Sequence, residues 1–240
     1  MYLDFYGLKE YPFNITPDPR FLFFSAQHRE AFDSMIYGIN QRKGFIALTG
    51  EVGAGKTTLC RAVLSNLSRN TRSALVLNPS LTETQLLRAI LHDFGLTVKG
   101  RGDRLSYIEQ LNEFLLEQSR DGNNVVLIID EAQDLMPEVI EQVRLLNNLE
   151  TDQQKLMQII LAGQPELKEL LTRSEFRQLR QRIMVNYHIR PLTDDDTAHY
   201  IAHRLSVAGA APELAFQAEA VAMIHKYSKG IPRIINAICD

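Results

Sequence analysis

Residues 50–57 read GEVGAGKT and match the phosphate-binding pattern G-x-x-x-x-G-K-[ST] at every fixed position. Glycines let the backbone wrap around a phosphate, with successive N–H groups pointing inward at the start of the following helix. The lysine reaches the β- and γ-phosphates, and the threonine hydroxyl binds Mg²⁺. A strand-like segment, FIALT, precedes the motif and a helical one, TLCRAVLSNL, follows it, which favours a true phosphate loop over a chance glycine-rich turn. The predicted nucleotide-binding residues are Gly50, Glu51, Val52, Gly53, Ala54, Gly55, Lys56, Thr57 and Thr58.

A second chemical signal is a pair of acids, Asp130 and Glu131, directly after the apolar run VVLII. An α/β sheet places its ligand site at the carboxyl ends of its strands. There we expect Asp130 to hold Mg²⁺ together with Thr57, and Glu131 to polarise an attacking water. The alternative is a strand running into a helix that two acids cap. With the phosphate loop, these acids predict hydrolysis of a nucleoside triphosphate, with ATP and Mg²⁺ as cofactors.

Three further features of the sequence carry candidate catalytic groups. Gln164 follows the run LMQIILAG, where a polar side chain positions water; the alternative is a loop glutamine without a catalytic duty. Arginines 177, 180 and 182 precede the run MVNYHI, where a guanidinium would reach a neighbouring subunit's site; we favour Arg182, then Arg180, over a solvated basic face. Arg233, in GIPR, stands in the first turn of a helix, where a cation is unfavourable. A bound phosphate would hold it there, and the alternative is a plain surface arginine.

The elements that must position these residues form an α/β pattern. Apolar strands alternate with amphipathic helices between residues 44 and 191. Strands that are apolar throughout favour a parallel sheet with helices on both faces, that is, a three-layer phosphate-loop core. The predicted strands are 45–48, 74–77, 125–129, 156–162 and 185–189, and the predicted helices are 57–67, 84–94, 104–118, 137–147 and 166–171.

Three domains are predicted from the change of pattern along the chain. Residues 1–43 hold an aromatic and proline-rich strap, which the prolines keep from being helical, and a first helix over 26–41. Its aromatic residues are expected either to shield an adenine ring or to pack against that helix. Residues 44–191 are the α/β core. Residues 192–240 are a small helical lid, with Thr193 as an N-cap and Pro232 starting its last helix.

Composition narrows the function classes. The chain has 240 residues, 26 basic and 29 acidic, and a formal charge of −3, so no global basic excess draws it to nucleic acid. The two cysteines stand far apart, which favours reduced thiols over a disulfide framework. The apolar runs are too short to span a membrane, and the start lacks a secretory signal. We therefore expect a soluble, intracellular chain, and the apolar helix ending at Asp240 suggests a larger protein.

At these residues the chain resembles the AAA+ ATPases, and within them the general secretion pathway protein A family. The similar stretches cover nearly the whole chain and include FYGLKEYPFNITPDPRFLFFS, LTGEVGAGKTTL, VLIIDEAQDL, LAGQPEL, LRQRIMVNYHIRPL and GIPRIINAICD. The resemblance implies an oligomer whose site Arg182 completes in trans, with Arg233 as the lid arginine. Gln164 stands where many AAA+ proteins have asparagine or threonine.

The same resemblance implies a setting in the cell. It implies a cytoplasmic domain of a protein anchored in the bacterial inner membrane, an inner-membrane secretion partner, and peptidoglycan binding only through regions that this sequence lacks. ATP hydrolysis would drive assembly or remodelling of a type II secretion-like machine. Two alternatives stay open, a DNA-dependent helper of transposition and a nucleotide-gated assembly switch with little turnover. Asn78, at the end of the second strand, is expected either to restrain Glu131 in an idle state or to be an ordinary turn residue.

Overall fold

The protein is described by a computed structural model that covers residues 2–77, 79–98, 102–151 and 154–240, so the prediction for Asn78 lies outside the described residues. Its sheet has five strands in the order β2-β3-β4-β1-β5, and the pairs β2·β3, β3·β4 and β4·β1 run parallel. The parallel sheet of the predicted fold class is confirmed. The strands are β1 (Phe45–Gly50), β2 (Thr71–Val76), β3 (Asn124–Ile129), β4 (Gln158–Gly163) and β5 (Ile183–Ile189).

Helices connect and cover these strands, and the predicted helices are found within a few residues of their expected bounds. They are α1 (Tyr2–Tyr6), α2 (Ala26–Asn40), α3 (Lys56–Ser65), α4 (Glu83–Asp93), α5 (Arg104–Arg120), α6 (Pro137–Leu146), α7 (Pro165–Thr172), α8 (Arg177–Arg182), α9 (Asp194–Val207), α10 (Ala218–Ser228) and α11 (Pro232–Cys239). Thr193 caps α9 through a capping box, and Pro232 begins α11, as predicted. None of the helices in the described residues is long and apolar enough to cross a lipid bilayer.

The central strands are buried on both faces, which is why most of their residues are apolar. Every residue of β1 and β4 is buried. Val125, Leu127 and Ile129 of β3 share one core with helices α4 to α8. On β1, Ile46 lies against α2, where Gly38 has no side chain to obstruct it. Helices on both faces give the three layers that the sequence predicted.

The register of the sheet brings three strand ends to one edge. Thr49 of β1 pairs with Gly163 of β4, and Ile129 of β3 pairs with Leu161 of β4. Because the strands are parallel, the segments that follow β1, β3 and β4 all leave the sheet from this edge. The phosphate loop, the two acids and Gln164 therefore each follow the carboxyl end of one of three neighbouring strands.

Two compact units divide the chain differently from the three predicted domains, which stay a prediction. One unit joins the strap up to Glu30, the segment Gly50–Ala62 and the segment Ile189–Asp240; the other joins Ala31–Thr49 and Val63–His188. The first unit therefore unites the strap, the phosphate loop and the lid helices. The second contains nearly all of the sheet and its main core.

Within the first unit, the strap packs against the lid helices. Phe13 is buried with Tyr200 and Ile235, a contact that neither predicted role of the strap aromatics included. The Arg204 guanidinium of α9 is buried and donates to the carbonyl oxygens of Pro12 and Asn14. The prediction of a strap without helix is wrong for Tyr2–Tyr6, which forms α1 ahead of the first proline.

The strap is also hydrogen-bonded to helix α3. The Nη1 atom of Arg61 in α3 donates to the carbonyl oxygen of Pro17, at 2.8 Å. Strap residues 12–17 thus have an arginine from α9 at one end and an arginine from α3 at the other. Both arginines bind backbone carbonyl oxygens, so these bonds depend on the path of the strap rather than on its side chains.

Candidate functional site

The phosphate loop, residues 50–57, has a backbone that only glycine adopts without strain at two positions. Gly53 has φ of 81° and Gly55 has φ of 93°, both in the left-handed region. A side chain on Gly53 would also collide with the lid, since its Cβ would lie 2.5 Å from the Cβ of Arg233. The two glycines therefore give the loop its curvature and admit the lid helix beside it.

Lys56 is the first residue of α3 and is buried, with 5% of its surface exposed. Its Nζ atom donates to the carbonyl oxygens of Gly50 and Glu51, at 2.8 and 3.0 Å. The ammonium group is thus held inside the curve of the loop. Thr57 and Thr58 follow in the first turn of α3, and Val52 is exposed at the loop's tip.

His28 of α2 is hydrogen-bonded to the backbone of the phosphate loop, a contact that the sequence did not predict. It is 3% exposed, and its Nε2 atom lies 3.1 Å from the carbonyl oxygen of Ala54. A carbonyl oxygen only accepts, so Nε2 carries the hydrogen, and Nδ1 accepts from the Ser25 hydroxyl at 2.8 Å. Burial lowers the pKa of His28, which favours this neutral form.

Arg233 lies where the sequence predicted an arginine of the lid, in the first turn of α11. Its backbone N–H donates to the carbonyl oxygen of Gly53, at 3.2 Å. The side chain is exposed to solvent. The lid helix therefore begins against the phosphate loop, and its first cation is available to a ligand there.

Asp130 and Glu131 follow β3, as predicted. Asp130 is 2% exposed, and its Oδ1 atom accepts from the backbone N–H of Glu131 at 3.0 Å. Glu131 has φ of 52° and ψ of 38°, a left-handed conformation that is rare for a residue with a side chain. Such a conformation costs about 1–3 kcal/mol and is typical of functional sites, where surrounding contacts maintain it.

Gln164 is hydrogen-bonded to Glu131, which brings two of the predicted catalytic residues together. Its Nε2 atom lies 3.2 Å from Oε2 of Glu131, and Gln133 donates to the same oxygen at 2.9 Å. Gln133 was not predicted, because a glutamine after two acids has no signature of its own. We call Asp130, Glu131, Gln133 and Gln164 the acid cluster.

The three candidate trans-acting arginines lie on α8, a short helix that the sequence did not predict. Arg177 and Arg180 are exposed, while Arg182 donates from Nη1 to Oδ1 of Asn148. Arg182 is thus engaged within its own chain here. The choice between Arg182 and Arg180 as the finger stays a prediction.

Each unit has residues whose chemistry suits part of a magnesium nucleotide. In the first unit, the loop has the glycine conformations and the buried ammonium that phosphate binding needs, and Thr57 has a hydroxyl. In the second unit, the buried carboxylate of Asp130 is an oxygen donor of the kind that Mg²⁺ prefers.

Comparison with known proteins identifies the family of the chain. The AAA domain family matches residues 39–171. The chain is similar to general secretion pathway protein A of Aeromonas hydrophila, with 46% identity over 100% of this chain and 44% of that protein. The resemblance found in the sequence is thereby confirmed. The chain spans less than half the length of this relative.

Solved structures share the fold. Cdc6p from Pyrobaculum aerophilum has a TM-score of 0.72 at 17% identity, over 94% of this chain and 62% of that one. The ORC2 protein of Aeropyrum pernix, solved as ADPNP-ADP complexes, has a TM-score of 0.70 at 15% identity, over 95% and 63%. A variant of RuvB from Thermotoga maritima has a TM-score of 0.57 at 21% identity, over 89% and 60%. At these identities the likeness shows the fold alone.

Proposed function

The chain belongs to the AAA domain family, and from that premise we propose that it binds ATP and hydrolyses it with Mg²⁺. The family and its fold support nucleotide hydrolysis at a general level. The observation that carries the finer proposal is the phosphate loop, in which glycines at positive φ surround the buried Lys56 ammonium. Such a loop stabilises the negative charge of bound phosphates.

The individual roles follow from the chemistry of each side chain. Lys56 binds the β- and γ-phosphates, and Thr57 and Asp130 hold the metal. The metal, when bound, neutralises charge that develops on the phosphate oxygens. Glu131 orients and polarises the attacking water, with Gln164 beside it. Arg233 contributes a cation to the nucleotide from the first turn of α11.

We further propose that the active form is a homo-oligomer in which Arg182, or else Arg180, completes a neighbour's site. An arginine supplied in this way raises turnover by about 10³–10⁵-fold in related phosphoryl-transfer systems. The bond from Arg182 to Asn148 would then have to open on assembly. Slow hydrolysis by the isolated chain is therefore expected.

The cellular role proposed is assembly or remodelling of a type II secretion-like machine. Its support is the 46% identity to general secretion pathway protein A along the whole of this chain. On this proposal the chain is a cytoplasmic domain that acts with an inner-membrane partner, and any contact with peptidoglycan is made by other regions. Nucleic acid is not an expected partner, given the net charge of −3.

The test is steady-state ATP turnover with and without Mg²⁺, for the wild type and the Glu131→Gln and Lys56→Ala variants. Glu131→Gln is expected to lower kcat by about 10²–10⁴-fold, the usual contribution of a general base, while nucleotide still binds. Lys56→Ala is expected to lose binding itself. The control is Glu138→Gln, the same exchange at an exposed residue of α6, which should match the wild type.

Two outcomes would replace the proposal. A wild type that binds ATP and assembles but turns over no faster than Glu131→Gln is a nucleotide-gated switch. Stimulation by duplex DNA that disappears at about 200 mM salt, as binding through phosphate contacts does, favours the transposition helper.

A further inference from the structure

Among the described residues, hydrogen bonds reach only one of the two carboxylate oxygens of Glu131. Oε2 accepts from Nε2 of Gln133 at 2.9 Å and from Nε2 of Gln164 at 3.2 Å. Oε1 has no hydrogen-bond partner among the residues that the structure describes. A carboxylate offers about four lone-pair sites, so two donors on one oxygen leave the other oxygen able to accept from water.

Gln133 does more than donate to the acid. Its Oε1 atom accepts from the backbone N–H of Gln164, at 2.9 Å. The amide of Gln133 therefore bridges the end of β3 to the end of β4, with its nitrogen on Glu131 and its oxygen on Gln164. This bridge fixes the amide's orientation, because exchanging its oxygen and nitrogen would break both bonds.

Gly163 supplies the room for this bridge. A Cβ atom at Gly163 would lie 2.8 Å from Oε1 of Gln133, closer than real Cβ contacts come. Gly163 carries no positive φ, so its backbone conformation does not itself require glycine. The absence of a side chain at this position is accounted for by the approach of Gln133 and of Leu167.

Glu131 needs such support because its backbone conformation is strained. A left-handed residue with a side chain persists only where its surroundings hold it. The Glu131 N–H donates a hydrogen bond to Asp130, and Gln133 and Gln164 donate to the side chain of Glu131. These contacts restrict both the backbone and the side chain of Glu131.

We propose that Gln133 is a positioning residue for ATP hydrolysis, which fixes Oε2 of Glu131 so that Oε1 faces the attacking water. The proposal rests on the function proposed above. Gln133 touches neither nucleotide nor water in this role and acts only through Glu131. Its loss should therefore slow turnover without changing nucleotide affinity, and only while Glu131 is present.

The experiment compares Gln133→Met in two backgrounds, wild type and Glu131→Gln, by measuring kcat and KM for ATP. Methionine keeps the length of the side chain and removes both hydrogen-bonding groups. In the wild-type background we expect kcat to fall by roughly tenfold, as for the loss of one hydrogen bond to a charged group, with KM changed by less than about twofold. In the Glu131→Gln background we expect a further change of less than about twofold, because residues that act as a unit are non-additive.

Gln110→Met is the matched control. Gln110 is also half-buried, lies on α5 and donates from Nε2 to the carbonyl oxygen of Ser106. It should leave kcat and KM at wild-type values. Gln133→Asn keeps the amide on a shorter side chain and should recover part of the lost kcat. Thermal unfolding of each variant shows whether the protein is folded under assay conditions.

The outcomes separate this proposal from the one on which it rests. If Glu131→Gln abolishes turnover but Gln133→Met retains the wild-type kcat, the role of Gln133 is wrong and ATP hydrolysis stands. If Gln133→Met lowers kcat equally in both backgrounds, Gln133 does not act through Glu131, and the proposal is overturned. If Glu131→Gln leaves turnover unchanged, the proposed function itself fails.

Discussion

The phosphate loop and the acid cluster are built by different means. The loop is held through its own backbone, which has glycines at positive φ. Its carbonyl oxygens accept hydrogen bonds, that of Gly50 from the Lys56 ammonium and that of Ala54 from His28. The acid cluster is held by side-chain amides, since Gln133 and Gln164 both donate to Glu131. Substitutions in the loop should therefore cost folding and binding, whereas those in the acid cluster should cost rate.

Among the variants that compare these two regions, the largest loss of stability is expected for Gly53→Ala. Alanine at positive φ costs about 1–2 kcal/mol, and the displacement of Arg233 by the new Cβ adds to that, for a loss of about 2–4 kcal/mol in the free energy of unfolding. Nucleotide affinity should fall roughly tenfold or more, since about 1.4 kcal/mol is a factor of ten. Urea unfolding and nucleotide titration measure the two effects.

Gly122→Ala is the control for this loss. Gly122 has φ of 75° but nothing within 4 Å of its missing Cβ, so alanine there adds backbone strain without a collision. It should destabilise by about 1–2 kcal/mol and leave nucleotide affinity unchanged. Equal losses of stability and of nucleotide affinity for the two variants would show that the contact of Gly53 with the lid contributes to neither.

An intermediate effect is expected for Gly163→Ala, the same exchange beside the acid cluster. The new Cβ meets the flexible end of Gln133 at 2.8 Å and the buried side chain of Leu167 at 2.9 and 3.0 Å, an overpacking that should cost about 1–2 kcal/mol in the free energy of unfolding. Moving Gln133 should lower kcat about as much as Gln133→Met does, with KM unchanged. A loss of stability as large as that of Gly53→Ala, with kcat preserved, would contradict the distinction between the two regions.

A smaller effect is expected at His28. His28→Leu removes one hydrogen bond to the loop, which is worth about 0.5–1.5 kcal/mol, so nucleotide affinity should fall by roughly 2–10-fold. His28→Gln keeps a donor at the place of Nε2 and should recover most of that affinity. If the two variants bind nucleotide equally well, the bond to the Ala54 carbonyl does not support the loop.

The smallest effect is a pH dependence of stability. Because burial lowers the pKa of His28, the unfolded chain binds a proton more readily than the folded one. The contribution of His28 to the free energy of unfolding is fully present above the ordinary histidine pKa of about 6.5 and is lost as the pH falls below it. The loss between about pH 7.5 and pH 5 should be smaller in His28→Gln. Burial also lowers the pKa of His203, but that residue is present in both proteins.

The conformation of the phosphate loop was predictable because its pattern occupies eight consecutive residues whose types dictate the backbone. The strands were equally predictable, since β3 and β4 are apolar after their first residue and must be covered on both faces. Asp130, Glu131 and Gln164 follow such strands, so the order of the chain alone pointed to them.

The remaining features depend on contacts between distant positions. His28 meets Ala54 across 26 residues, and Gln133 meets Gln164 across 31, with no pattern in the sequence that joins them. The short helix α1 was missed because its aromatic residues were assigned to the extended strap that follows. Arg182 has a partner in Asn148, 34 residues away, that only the folded chain reveals.

The strap joins two helices of the first unit through its backbone. Arg204 donates hydrogen bonds to the carbonyl oxygens of Pro12 and Asn14, and Arg61 donates one to that of Pro17. Helix α9 and helix α3, which begins with Lys56, are therefore hydrogen-bonded to the backbone of the same few strap residues.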